Sequence, residues 1–351
     1  MSMKKKYIDI LLIAVAVLLN ACSSGDSGAH PDPTDKPVKK EIQVMTYASH
    51  FAETELSHRA APTGFSEYTP DKTTNMGIYM LLPADWATPK EEKIIYTNKW
   101  HAYFEVTSDK TYTVYGYMPK TGDMSSSLAK STADAATLTI SNIKPITTDD
   151  ICIITGVKAA DEGLKEGQFS WSWPIGDDNY KIYILMDHLY AAALFRLKID
   201  AEYAQLRTIK LKTMTLRTDC ESVNATISLT HNTTGASPIS GVVFDPSPSG
   251  SSEDFLVFNS DAGTALDKDT PVDINTCFAP TLSNNLIIVT TYDVYDRKGN
   301  LIRENSTATN KLPNLAAVRG QKVQVNLTVN PTYLYVLSDP DLDNPTIKIE
   351  N

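Results

Sequence analysis

From Ile42 onward the chain is written in steps of two. Tyr112-Thr113-Val114-Tyr115-Gly116-Tyr117, Lys181 to Met186, Ile209-Lys210-Leu211-Lys212 and Val323-Gln324-Val325-Asn326-Leu327-Thr328-Val329 alternate or run in short β-rich blocks. Successive side chains on a strand point to opposite faces, so this period selects strands that bury one face or both. Leu286 to Tyr295 reads as a buried strand; the turn Asp296-Arg297-Lys298-Gly299-Asn300 and the resumption at Leu301-Ile302 then predict a hairpin. Helical periodicity is weak: Asp161 to Glu166 and Asp200 to Leu206 each have room for a turn or two. The run Pro246 to Ser252 predicts an exposed loop. Many short strands between turn signals define an all-β chain of β-sandwiches.

The chain has 351 residues, 42% hydrophobic and 21% charged, the composition of a globular protein long enough for two domains. Gly176-Asp177-Asp178-Asn179 lies near the middle, so the expected domains are 42–177 and 178–351. The net charge of −10 argues against a nucleic-acid partner. Four cysteines are present. Cys152, Cys220 and Cys277 are an odd set without the tight spacing of a disulfide framework and are not spaced as a zinc site; an oxidising compartment would allow one pair, but they are expected singly in strands as small apolar residues.

The N-terminus carries an address. Lys4, Lys5 and Lys6 precede an apolar run from Ile10 to Leu19, which is roughly half the ~20 residues a spanning helix needs. Leu19-Asn20-Ala21-Cys22 follows and resembles a bacterial lipobox. Residues 1–21 then form a lipoprotein signal peptide and Cys22 is the lipidation site; the alternative is an ordinary signal peptide with a chance cysteine. Residues 22–41, with Pro31, Pro33 and Pro37, read as a flexible tether.

No H-E-x-x-H, G-x-S-x-G, P-loop or G-x-G-x-x-G is present, and the sequence asks for no catalytic residue, cofactor or metal. Asp339, Asp341, Asp343 and Glu350 fall at calcium-loop positions, but Asn344 stands where the template needs glycine. Trp171 and Trp173 would share one face of a strand, either as a sugar-binding platform or, more ordinarily, as core.

The two ends carry more information. Ile42, Val44 and Thr46 alternate like an edge strand, and Arg59-Ala60 follows in a segment of small residues of the kind proteases nick. At the other end, Tyr333, Tyr335 and Leu337, then Ile347 and Ile349, form two β-prone pieces joined by Asp- and Pro-rich sequence. A strand lost from one end of such a fold leaves a groove that a neighbour's strand can fill.

With these features the chain resembles the Bacteroidales fimbrillin family of lipoprotein-derived major and minor fimbrial subunits. The resemblance rests on Met186 to Lys198, Leu206 to Lys212, Tyr292 to Ile302, Asn330 to Pro345, Gly77 to Met80 and Tyr112 to Pro119. It implies two transthyretin-like β-sandwich domains in tandem and export as a lipoprotein to the outer membrane and cell surface. It implies a leader segment, 42–59, removed between Arg59 and Ala60 by an arginine-specific, trypsin-like protease. It implies a donor strand from the tail 331–351, with Tyr333, Tyr335, Leu337, Ile347 and Ile349 as the docking residues. Partners would be neighbouring pilin subunits, a lipid anchor before processing, and a host or bacterial surface receptor. The alternatives are a tip or accessory fimbrial adhesin, a non-polymerising outer-membrane glycan-binding lipoprotein, and an extracellular enzyme.

Overall fold

The computed structural model describes residues 36–53, 64–159, 164–176, 180–231, 242–282, 286–312, 315, 317–330 and 346–350. Cys22, Arg59, Ala60, Tyr333, Tyr335, Leu337, Asp339, Asp341 and Asp343 lie outside them. Residues 37–351 belong to one compact unit. Among the described residues the regular structure is nearly all strand. The first eight strands are β1 (Val38–Glu41), β2 (Gln43–Ser49), β3 (Ala52–Glu53), β4 (Phe65–Glu67), β5 (Thr74–Leu81), β6 (Glu92–Tyr96), β7 (Trp100–His101) and β8 (Tyr103–Val106). There follow β9 (Thr111–Met118), β10 (Ser125–Thr132), β11 (Ala135–Ile143), β12 (Ile146–Thr147), β13 (Cys152–Lys158), β14 (Ser172–Pro174), β15 (Lys181–His188) and β16 (Ala191–Ile199). After the helix α1 (Ala201–Ala204) come β17 (Thr208–Thr218), β18 (Ser222–Thr230), β19 (Val242–Ser249), β20 (Glu253–Ala265) and β21 (Val272–Phe278). The last strands are β22 (Ile287–Tyr295), β23 (Leu301–Lys311), β24 (Gln321–Asn330) and β25 (Thr346–Glu350).

A nine-stranded sheet, in the order β4-β2-β15-β13-β9-β5-β6-β7 with β14 against β9, forms a wall between two apolar cores. Met76, Ile78, Val114, Ile154, Ile182 and Ile184 face one core, which Trp100, Ala102, Phe104 and Val106 close. Tyr79, Leu81, Tyr115, Tyr117 and Ile153 face the other. Central strands are therefore buried on both sides, so Lys181 to Met186 reads as a continuous apolar run rather than an alternation. Tyr183 and Leu185 meet Phe169 in a third, smaller cluster.

The larger core is completed by β10-β11-β18-β19, by β20-β17-β22-β23, and by β12-β21-β16-β24-β25. Two of these sheets draw strands from both sides of residue 178: β11 pairs with β18 and β12 with β21. Here the paths of the strands cross the expected division of the chain.

The hairpin over 287–311 is present. Asp296 accepts from the backbone N–H groups of Lys298 and Asn300, and Gly299 takes φ +83°. Asp200 caps α1 through the N–H groups of Glu202 and Tyr203. Three expectations need correction. Strand pairing starts at Val38 rather than Ile42, because β1 pairs with β8 while burying little, which leaves no alternation to read. The Pro246 to Ser249 part of the expected loop is strand: β19 pairs with β18, with Pro246 opposite Ala225 and Pro248 opposite Val223. Prolines two apart place both missing N–H groups on one side, which an edge strand tolerates. Finally, Cys220 sits between β17 and β18, whereas Cys152 and Cys277 are strand residues; all three are buried and unbridged.

Candidate strand-docking site

The segment 38–53 is sewn across three sheets, through β1, β2 and β3. β2 lies parallel to β15, from Gln43 opposite Lys181 to Ala48 opposite Met186. On its other side β4 pairs with Tyr47 to Ser49 and the Tyr68 N–H donates to the Thr46 carbonyl at 2.8 Å, which leaves 43–45 without a paired strand there. Ile42, Val44, Thr46 and Ala48 are buried. Ile42 and Val44 join the smaller of the two large cores, while Met45 and Tyr47 pack on Phe169, Tyr183 and Leu185 from the opposite face. Burying an isoleucine or valine fully is worth about 1.5–3 kcal/mol, so these side chains add to the hold that the pairing with β15 gives the strand. Thr46 Oγ1 donates to the Tyr68 carbonyl (2.7 Å) and accepts from the Trp100 indole N–H (3.2 Å).

At its C-terminal end the segment is tied by polar groups. Ser49 Oγ donates to Asp187 Oδ1 at 2.5 Å, and His188 Nε2 meets the Ser49 carbonyl at 2.7 Å. Asp187, 1% exposed, also accepts from Arg319 Nη1 at 2.5 Å, and Arg319 donates to the His188 carbonyl at 2.9 Å. A buried carboxylate paired and hydrogen-bonded in this way avoids the cost of a bare charge. Phe51 stacks on His188. His188 also bonds Asp150; burial opposes its charged form, but that bond and the charges of Asp150 and Asp187 prevail and raise its pKa. The chain then crosses to the neighbouring sheet, where β3 runs parallel to β24 at Gln321 and Lys322.

The same edge of β24 receives the chain's tail. β25 is antiparallel to β24, with Ile347 opposite Val329 and Ile349 opposite Leu327. Glu350 lies in this strand, opposite Asn326. Val325, Leu327 and Val329 are buried, and β25 is the outermost strand of its sheet. The end of segment 38–53, β3, and the tail strand β25 thus occupy successive stretches of one strand edge, a proximity invisible in a sequence that separates them by almost three hundred residues.

Trp171 and Trp173 do not form a shared platform. Trp173 is fully buried in the smaller core, its Nε1–H donating to the Lys181 carbonyl (3.0 Å). Trp171 points into the larger core, against Tyr115 and His231. The strand β14 begins only at Ser172, so the two-residue alternation does not reach Trp171. A cleft of about 530 Å³ opens beside the β1–β8 ribbon, lined by Lys39, Asp85, Lys90, Glu92, Glu105 and Tyr112 among others. In it the exposed Lys90 is raised by its bond to Glu92, an ordinary surface pair. Among the described residues no helix is long and apolar enough to cross a membrane.

No protein-family model and no curated protein matches the chain. Its fold is similar to several solved structures. One is a fimbrial protein from Bacteroides vulgatus, 15% identical, covering 88% of this chain and 98% of that one, with a TM-score of 0.42. Another is a fimbrial protein from Bacteroides ovatus, 9% identical over 82% of this chain and 49% of that one, with a TM-score of 0.35. A third is the fimbrial anchor protein Mfa2 from Porphyromonas gingivalis, 10% identical over 88% and 97% of the two chains, with a TM-score of 0.26.

Proposed function

We propose that the chain is a structural pilin subunit of surface fimbriae, exported as a lipoprotein and polymerising by protease-triggered strand exchange in support of adhesion. The observation that carries this reading is the way 38–53 is held. It fills pockets with Ile42, Val44 and Ala48 and hydrogen-bonds along β15, yet its covalent link to the body runs only through 54–63, the segment containing Arg59. One cut there turns a covalent strand into a ligand. Its departure would uncover the β15 edge, the pockets of Ile42 and Val44, and the β24 edge at Gln321 and Lys322. An incoming strand restores the main-chain bonds and refills alternate pockets. The edge position of β25, with Ile347 and Ile349, supports the tail as donor. Neighbouring subunits, an arginine-specific protease, a lipid on Cys22 and a surface receptor are the partners this reading requires; none of its steps requires catalysis by this chain.

Limited trypsin digestion, followed by N-terminal sequencing and electron microscopy, tests it. A new end at Ala60 accompanied by fibres or higher oligomers is expected. Trimming that stops short of β2 and leaves a monomer would overturn self-polymerisation and favour a tip or accessory subunit.

A further inference from the structure

Three different metal-ligating side chains meet where β13 begins and β15 ends. The pairing register sets Cys152 directly opposite His188, and Asp150 lies two residues before Cys152. Cys152 Sγ is 3.0 Å from Asp150 Oδ2, His188 Nδ1 is 2.5 Å from the same oxygen, and Sγ and Nδ1 are 3.9 Å apart. One donor atom from each residue falls within 4.8 Å of the others. The group is walled in: Cys152 is 0% and His188 4% exposed, while the Asp150 side chain keeps 16% and marks the side open to solvent.

Two further features of the group bear on a cation. His188 Nε2 lies 2.7 Å from the Ser49 carbonyl, which can only accept, so Nε2 carries a hydrogen and Nδ1 is the nitrogen turned to the cluster. Nδ1 and a carboxylate oxygen at 2.5 Å must share either a proton or a metal ion. The second oxygen, Asp150 Oδ1, is buried and has no hydrogen-bond partner among the described residues. The imidazole plane is itself fixed by Phe51.

We propose that Asp150, Cys152 and His188 form a binding site for a divalent zinc-class cation. One thiolate, one imidazole and one carboxylate are a three-ligand zinc set with a fourth position left for water. Bonds of about 2.0–2.3 Å to zinc require the Asp150–His188 contact to open, which a rotation of the partly exposed carboxylate supplies. Binding is a proton exchange without redox change. The Cys152 S–H loses its proton to solvent as the sulfur–metal bond forms, and the proton shared by His188 and Asp150 leaves as the metal takes its place. Affinity therefore rises with pH. The carbonyl that orients His188 belongs to Ser49, so the ion would brace the same ring that holds segment 38–53.

The test is titration of the full chain, purified in detergent and stripped with a chelator, first with cobalt(II) and then with zinc(II). One equivalent of cobalt should give a near-ultraviolet thiolate-to-cobalt charge-transfer band, displaced by zinc, with protons released on binding. Cys152→Ser should abolish the band. Asp150→Asn should weaken zinc binding by more than the roughly 10–100-fold cost of losing an outer-shell partner. Cys277→Ser, which removes a buried thiol outside the group, should leave both unchanged. X-ray absorption of the zinc-loaded wild-type chain should show one sulfur at about 2.3 Å beside nitrogen and oxygen, and it needs no variant to fold. No saturable equimolar binding, a band that survives Cys152→Ser, or a shell without sulfur would overturn the site.

Discussion

The ring of Phe51 lies flat on that of His188, with centroids 3.6 Å apart and planes 16° from parallel. One ring belongs to segment 38–53 and the other to the end of β15, so this stack closes the docking of 38–53 just after Ser49 has bonded Asp187. Phe51→Ala removes the stack and part of the apolar cover, at a cost of about 1–3 kcal/mol. Amide hydrogen exchange over Gln43 to Ser49 should quicken in the variant while exchange in β9 stays slow. Uniform loss of protection would show the stack serving the whole fold instead.

Arg319 compensates Asp187, whose side chain is almost wholly enclosed. Replacing Arg319 with Met leaves that carboxylate buried without its cation, a change worth about 3–5 kcal/mol. Denaturant unfolding should show a loss of that size. Pairing Arg319→Met with Asp187→Asn should recover much of it, since the uncompensated charge is then gone.

Gly116 faces Ile78 across the β5–β9 pair. A Cβ at Gly116 would stand 2.4 Å from the Gly77 carbonyl oxygen and 2.9 Å from a methyl of Ile154. Backbone cannot step aside as a flexible side chain can, so Gly116→Ala should destabilise by about 1–3 kcal/mol or more. A melting temperature equal to the parent's would show that the two strands can part.

His231 is lowered by burial, with Lys130 adding to the effect and Asp134 opposing it. It bonds the Tyr115 hydroxyl and stacks on Trp171. A histidine depressed in the folded state binds its proton more readily when unfolded, for which the ordinary value is about 6.5. Its contribution to stability is therefore complete above about 6.5 and is lost as pH falls through the lower folded value. Urea midpoints between about pH 5 and 8 should decline on the acid side in the parent and decline less in His231→Gln.

Deleting residues 346–351 removes β25 from the outside of its sheet. The expected product is a folded monomer whose leader is still cleaved but which cannot extend a fibre. Fibres of normal length from the truncated chain would exclude this strand as the required donor.

Strand content, the 287–311 hairpin and the short helical turn after Asp200 were legible in the sequence, because each is set by neighbours a few residues apart: alternation, a glycine at positive φ, a run of one or two helical turns. β1 and β19 were not, since exposed strands bury too little to leave a pattern. Both tryptophans are core, as the more ordinary reading had it, but they enter different cores because the alternation that would align Trp171 with Trp173 starts one residue too late.

The candidate site divides in the same way. Ile42, Val44 and Thr46 were readable as one face of a strand, since period two is a local property of the backbone. That the strand runs parallel to β15, that its end shares the β24 edge with the tail, and that Asp150, Cys152 and His188 converge beneath Ser49 are long-range facts. Sequence fixes which groups each strand presents and on which face. Only the pairing of strands far apart in the chain decides which of those groups meet, because register and sheet order depend on burying all the faces at once.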